Sequence, residues 1–343
     1  MRKEIAMKYV PSIYRTVLLG MAFVGVVVRI SPVSAHGGGG AHSGSAIPLE
    51  HGQTDVMFNY EYTKYETLSA SERSNLAARS AEGEVDSLNE MHRFTLDISH
   101  GFSDDLTLGF SASFRDVGGW LTTEVGGEHS ADPSGIEDFL LHGRYRFAFE
   151  GRGITSLLTG LRLPSGNTRN RLSNGELLTI AHQPSSGSLD AIVGLAHHRD
   201  LNERVHIDGG LRFTARGQGP RNQRAGNVEE LWADLSYHVT RNEAAPLHVT
   251  ATLGSSLVHE SPSRTNDIRD INEGGTRVFV TPGLSLAGER WSASLSAPIP
   301  VSQRLFGVQQ DMSYRIETVL TYSFGGAGTL GEREILLPGT EEE

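Results

Sequence analysis

From residue 54 to residue 324 apolar and polar side chains alternate with a period of two, the period of extended backbone, in which neighbours point to opposite faces. The last patterned segment shows it best. Tyr314, Ile316, Leu320, Tyr322 and Phe324 share one face, and Arg315, Glu317, Thr321 and Ser323 share the other. About twelve such segments can be marked, beginning with Val56, Phe58, Tyr60 and Tyr62 and including Leu106 to Phe114, Phe139 to Phe147 and Val205 to Phe213. Each approaches the roughly 9 to 11 residues that a tilted strand needs to cross an outer membrane. The tenth contains Pro282 and Gly283. Proline removes a ladder donor, so a bulge or kink is expected there.

The connections alternate in length. Short ones fall at 103–105, 150–153, 199–203, 240–245 and 287–289, and long ones at about 64–90, 116–136, 164–187, 215–227, 258–275 and 298–311. Short turns at one end and long loops at the other characterise bacterial outer-membrane barrels, whereas a soluble sandwich seldom carries six long loops. The pattern therefore predicts an all-β fold: a transmembrane, antiparallel, up-and-down β-barrel of about twelve strands over residues 53–324. An even strand count puts both barrel ends on the periplasmic side, with the apolar face toward lipid and the polar face toward a lumen.

The ends support export. Arg2, Lys3, Lys8 and Arg15 precede an apolar run from Val17 to Val28, and Val33-Ser34-Ala35 follow. This order is that of a secretory signal peptide over residues 1–35, and the run is short for a helical span of roughly 20 residues. Residues 36–52 form a Gly/His-rich periplasmic segment, and residues 325–343 an acidic tail with a flexible, glycine-rich exit. Removing the signal takes away five of 30 basic and one of 41 acidic residues, deepening the formal net charge from −11 to −15. Such a surface repels phosphates and argues against a nucleic-acid partner. The absence of cysteine excludes disulfides, thiolate metal sites and a cysteine nucleophile.

Charges inside a bilayer are tolerated where they face a polar interior. Arg144, Arg146, Asp208, Arg212, Arg315 and Glu317 fall on polar strand faces and are the candidate lumen-lining residues. They read either as a salt-bridge lattice or as a selectivity field. His36 and His42, at the start of the mature segment, can chelate Cu(II) or Zn(II), since imidazole suits both; the plain alternative is a linker. No other cofactor is indicated, and no enzyme is expected. His100, His197 and His198 lie at strand positions, but no Gly-x-Ser-x-Gly phrase marks a nucleophile elbow for an outer-membrane lipid hydrolase.

The phrases "DFLLHGRYRF" (138–147), "GLRLPSG" (160–166) and "QPSSGSLDAIVGLAHHRDLN" (183–202) resemble the outer-membrane β-barrel family named for the meta-pathway of phenol degradation. Leu189 stands where an aromatic is usual in that family, and Phe324 is followed by a tail instead of ending the chain. The resemblance covers about residues 90 to 325. It implies an outer-membrane channel passing a small, aromatic or apolar molecule by passive diffusion, with the lipid bilayer, the solute and the outer-membrane assembly machinery as partners and no catalytic residues. The alternatives are a plugged barrel acting as a scaffold or in metal handling, and the lipid hydrolase.

Overall fold

A strand with one apolar face buries it either against a second layer or in lipid, and twelve consecutive ones can close on themselves so that no edge is left unpaired. The computed structural model takes the second course. It describes residues 45–80, 82–124, 127–151, 153–240 and 245–326. Residues 1–35, where a signal peptide is expected, His36, His42 and the residues beyond 326 lie outside the described residues.

Twelve antiparallel strands form the wall. They are β1 (Thr54–Tyr65), β2 (Glu90–Ser103), β3 (Leu106–Gly118), β4 (Phe139–Glu150), β5 (Gly153–Leu163), β6 (Asp190–Asn202), β7 (Val205–Ala215), β8 (Val228–His238), β9 (His248–Glu260), β10 (Gly275–Ala287), β11 in two pieces (Trp291–Ser296 and Ile299–Leu305) and β12 (Met312–Phe324). Each pairs with its sequence neighbour, and β1 closes the barrel on β12 from Thr54↔Phe324 to Tyr65↔Met312. The predicted fold class is the observed one, and the barrel's two chain ends lie together at the short-turn end.

The apolar face points outward. Phe58, Leu96, Ile98, Phe110, Leu195 and Leu320 are each more than a third exposed, which is the state of side chains that meet lipid. Aromatics gather at both rims, with Tyr145, Phe147, Trp291, Tyr322 and Phe324 at the short-turn end and Tyr62, Phe114 and Tyr314 at the other, as barrels place them at the membrane interfaces.

Two expectations are corrected. Strand β10 passes Pro282 without a register shift against β9, where Leu253 pairs with Pro282. The break is in the neighbouring strand instead, at Ala297-Pro298, where Pro282, lacking an N–H, faces the gap and its carbonyl accepts from Ala297 N at 3.0 Å. Residues 298–311 are accordingly not all loop, because Ile299–Leu305 continues β11 along β10. The β11–β12 ladder stops at Ser296↔Glu317. Beyond it Arg315 N donates to Pro298 O at 3.1 Å, and the Gln303 amide bridges to the Met312 backbone at 2.9 and 3.0 Å.

The long loops carry structure of their own. Helix α1 (Ala70–Ala77) opens with Ser69 in a capping box with Glu72, and Glu84–Ser87, Leu121–Glu124 and Gly127–Ser130 form a small sheet above the barrel.

Candidate functional site: a lumen in three layers

At the long-loop end the strands contribute an apolar ring. Tyr65, Met91, Val117, Val228, Val258, Phe279 and Met312 pack with Trp120 and with Leu178 of the loop between β5 and β6. That loop is tied down at one carboxylate, and the phrases that carry the family resemblance supply the tie. Asp138 Oδ1 accepts from the backbone N–H groups of Ser165 and Gly166 at 3.1 and 3.3 Å and from the Ser185 hydroxyl. Its Oδ2 accepts from the Ser186 N–H and hydroxyl, both at 2.9 Å. A carboxylate holding five donors joins both ends of the loop. Gly166 is required there, since a Cβ would lie 2.3 Å from Ile136 O. Asp138 is the common partner of these three phrases, a link that their spacing in the sequence does not reveal.

Two ionisable groups of this cap lie outside the membrane-spanning strands. Burial, helped by the Arg115 charge, pushes the His182 imidazole down to about 3. Burial likewise pushes Asp86 up to about 6, with Glu82 adding to the shift and the Thr122 hydroxyl opposing it. The two groups meet at 3.1 Å, and His182 packs on Trp120 with ring centroids 4.6 Å apart.

Beneath the ring lies a belt of buried charge. Arg93 reaches Glu137 at 2.9 Å and Glu61 at 3.1 Å, all three at most 2% exposed. Arg315 lies 3.6 Å from Glu61 and 3.7 Å from Glu317, with its guanidinium 5.6 Å from the centre of the Phe279 ring. Arg212 pairs with Glu230 at 2.5 Å, and Arg216 with Asp190 at 2.8 Å. Charges so deeply buried persist because each has partners, and removing one strands the other.

Below the belt a chamber of about 410 Å³ opens in the short-turn half. Its lining mixes Met57, Leu140, Leu158 and Ile192 with Asn59, Asp97, His142, Arg144, Ser236 and Thr252. The floor is the chain itself, since residues 45–50 enter the barrel at the short-turn end. Ala46 and Ile47 pack on Ile154, Leu158, Ala196 and Trp232. Leu49 N donates to Thr107 Oγ1 at 2.7 Å, and Ser156 and Arg144 donate to the carbonyls of Ala46 and Ile47, each at 2.5 Å.

The six lumen candidates separate by depth. Arg144, Arg212 and Glu317 border the chamber. Arg315 sits in the belt, and Asp208 is buried on the lumenal face of β7, 2.9 Å from His198 Nδ1. Arg146 is at the short-turn rim with Asp105, 2.6 Å away. Of the other histidines weighed, His100 contacts Thr54 at 2.8 Å and His197 contacts Thr155 at 2.9 Å. The residues 45–50 escaped sequence analysis because they carry no strand period; the apolar Ala46-Ile47-Pro48-Leu49 was the available sign.

No family model and no curated relative matches this chain. Among solved structures it is similar to the COG4313 outer membrane channel from Pseudomonas putida F1, at 13% identity and a TM-score of 0.52, over 82% of this chain and 98% of that one. It is also similar to the β domain of the Bordetella autotransporter BrkA (12% identity, TM-score 0.46, 80% of this chain and all of that one) and to the KdgM porin (12%, 0.37, 78% and 99%). At such identities the likeness bears on fold alone, and the one above half in TM-score supports the closed barrel: this chain has the fold of an outer-membrane β-barrel.

Proposed function

We propose that this protein is an outer-membrane channel through which a small solute diffuses by way of the lumenal chamber. The observation that carries the reading is the chamber itself: a cavity of about 410 Å³ within a closed wall whose outer face is apolar. That volume is in the range that holds a small organic molecule, roughly 300 to 1,000 Å³. The mixture of Met57, Leu140, Leu158 and Ile192 with Arg144, His142 and Asn59 suits a solute with an aromatic or apolar body and a polar group. The charged belt acts as the filter, replacing part of the solute's hydration with fixed charges, and residues 45–50 act as the inner gate. In this reading the chain is exported by its signal segment and assembled into the outer membrane, with the short-turn end in the periplasm.

A second reading, a plugged barrel serving as a scaffold, is favoured by the same belt and by the chain segment on the floor. Proteoliposome swelling separates the two. Vesicles carrying the barrel should swell in small aromatic alcohols or carboxylates and swell less in sugars of larger size. A folded barrel that admits none of them supports the scaffold.

A further inference from the structure

Three histidines on the chamber wall stand in a row across β6, β7 and β8. His198 has both ring nitrogens against carboxylates, Nδ1 at 2.9 Å from Asp208 and Nε2 at 3.3 Å from Asp200. The other two face each other. His206 Nδ1 lies 3.1 Å from His238 Nε2. Their outer nitrogens are both engaged: His206 Nε2 is 3.7 Å from the second oxygen of Asp208, and His238 Nδ1 is 3.0 Å from Thr250 Oγ1. In the tautomer in which each outer nitrogen carries its hydrogen toward its oxygen partner, the two inner nitrogens turn lone pairs on the same point, where a cation can bridge them; in the other tautomer one inner N–H donates to the other nitrogen.

We propose that His206 Nδ1 and His238 Nε2 form a binding site for a divalent transition metal of the zinc and copper class, open to the chamber. Two imidazoles bound to zinc at about 2.0–2.1 Å in tetrahedral geometry place their nitrogens about 3.3 Å apart, so 3.1 Å requires only a small opening. A carboxylate or hydroxyl on the far nitrogen is the outer partner that ligating histidines regularly have, because it fixes tautomer and ring orientation. The register makes room. His206 pairs across the strands with Ser236, and His238, two residues further along, reaches over that small side chain diagonally. Local charge favours a cation, since Asp200 and Asp208 are at hand and Arg212 on the same wall is paired with Glu230 at 2.5 Å. Among the described residues no three His, Asp or Glu side chains converge on one point. The protein therefore supplies two ligands and leaves the remaining positions to water or to a donor atom of a molecule in the chamber. The site holds whether or not the barrel conducts.

The test uses the full chain folded in detergent with His36→Ala and His42→Ala, which removes the other candidate ligands. Zinc titrated by calorimetry should bind one ion per barrel, and Cu(II) at the site should show magnetic coupling to two imidazole nitrogens. His206→Ala and His238→Ala should each weaken zinc binding at least tenfold and leave coupling to one nitrogen. Asp208→Asn and Thr250→Val, as positioning changes, should weaken it by about tenfold. Heat-modifiable migration in gels checks that each variant is folded, and His238→Gln, which keeps a polar group in place, provides a gentler loss of the ligand if alanine disrupts the wall. No stoichiometric zinc binding, binding indifferent to His206 and His238, or a copper signal without imidazole coupling overturns the proposal.

Discussion

The two ends of the lumen are closed in different ways. At the long-loop end the closure belongs to the wall: the apolar ring and the Arg–Glu belt come from most of the strands, and the Asp138 carboxylate staples the overlying loop. At the short-turn end a single run of residues, 45–50, lies on the wall through a few apolar contacts and three hydrogen bonds to Thr107, Ser156 and Arg144. A closure built from the wall can open only by straining the barrel. A segment laid against the wall can leave it intact, so in the proposed reading the short-turn end is the one that opens.

The sharpest way to break this contrast is to attack the belt. Arg93→Ala leaves Glu61 and Glu137 buried without their shared cation, and a loss of about 3–5 kcal/mol in barrel stability is expected, read by urea unfolding in detergent. A loss below about 1 kcal/mol would mean that water already reaches the belt. Asp138→Ala comes next. Five donors lose their acceptor, so the loop between β5 and β6 should become sensitive to protease while the strands stay protected. Equal protection of that loop in the variant and the parent would sink the staple. On the floor, Ser156→Ala and Thr107→Val together remove two neutral hydrogen bonds, each worth about 0.5–1.5 kcal/mol. They should release residues 45–50 to protease without shifting the unfolding midpoint of the wall appreciably.

The smallest effect is a pH dependence of the cap. His182 is held below its ordinary value, so the stability it contributes is complete above about pH 6.5 and is lost as pH falls toward about 3. Asp86 is held above its ordinary value, so its contribution is present at low pH and is lost as pH rises through about 6. Between pH 7 and 5 the two oppose each other, and Trp120 fluorescence should change little. In Asp86→Asn the His182 effect stands alone, and acidification over that interval should loosen the cap. In His182→Gln the sign should reverse, with acid tightening it. The same response in both variants would contradict the assignment.

Strand alternation and loop lengths made the wall legible: the period of two located the twelve strands, and the lumenal face of Arg315 and Glu317 follows from it directly. What periodicity could not convey was pairing across distant sequence. Arg93 meets Glu137 and Glu61, and Asp138 meets Ser165 and Ser186, only once the barrel has closed. Pro282 shows the same limit, because its missing donor disturbs the neighbouring strand at Pro298 and not its own. The chamber floor was illegible for a different reason. Residues 45–50 are irregular backbone, recognisable as part of the lumen only from the strands they touch.

Single-channel conductance in a planar bilayer tests the central claim most directly, comparing the full chain with a variant whose residues 45–50 are replaced by a Gly/Ser stretch of equal length. If the chamber lies on a conducting path gated at the short-turn end, the full chain should show a small, interrupted conductance and the variant a larger, steady one that small aromatic carboxylates reduce. Two folded barrels that are both silent would contradict the account and leave a closed scaffold.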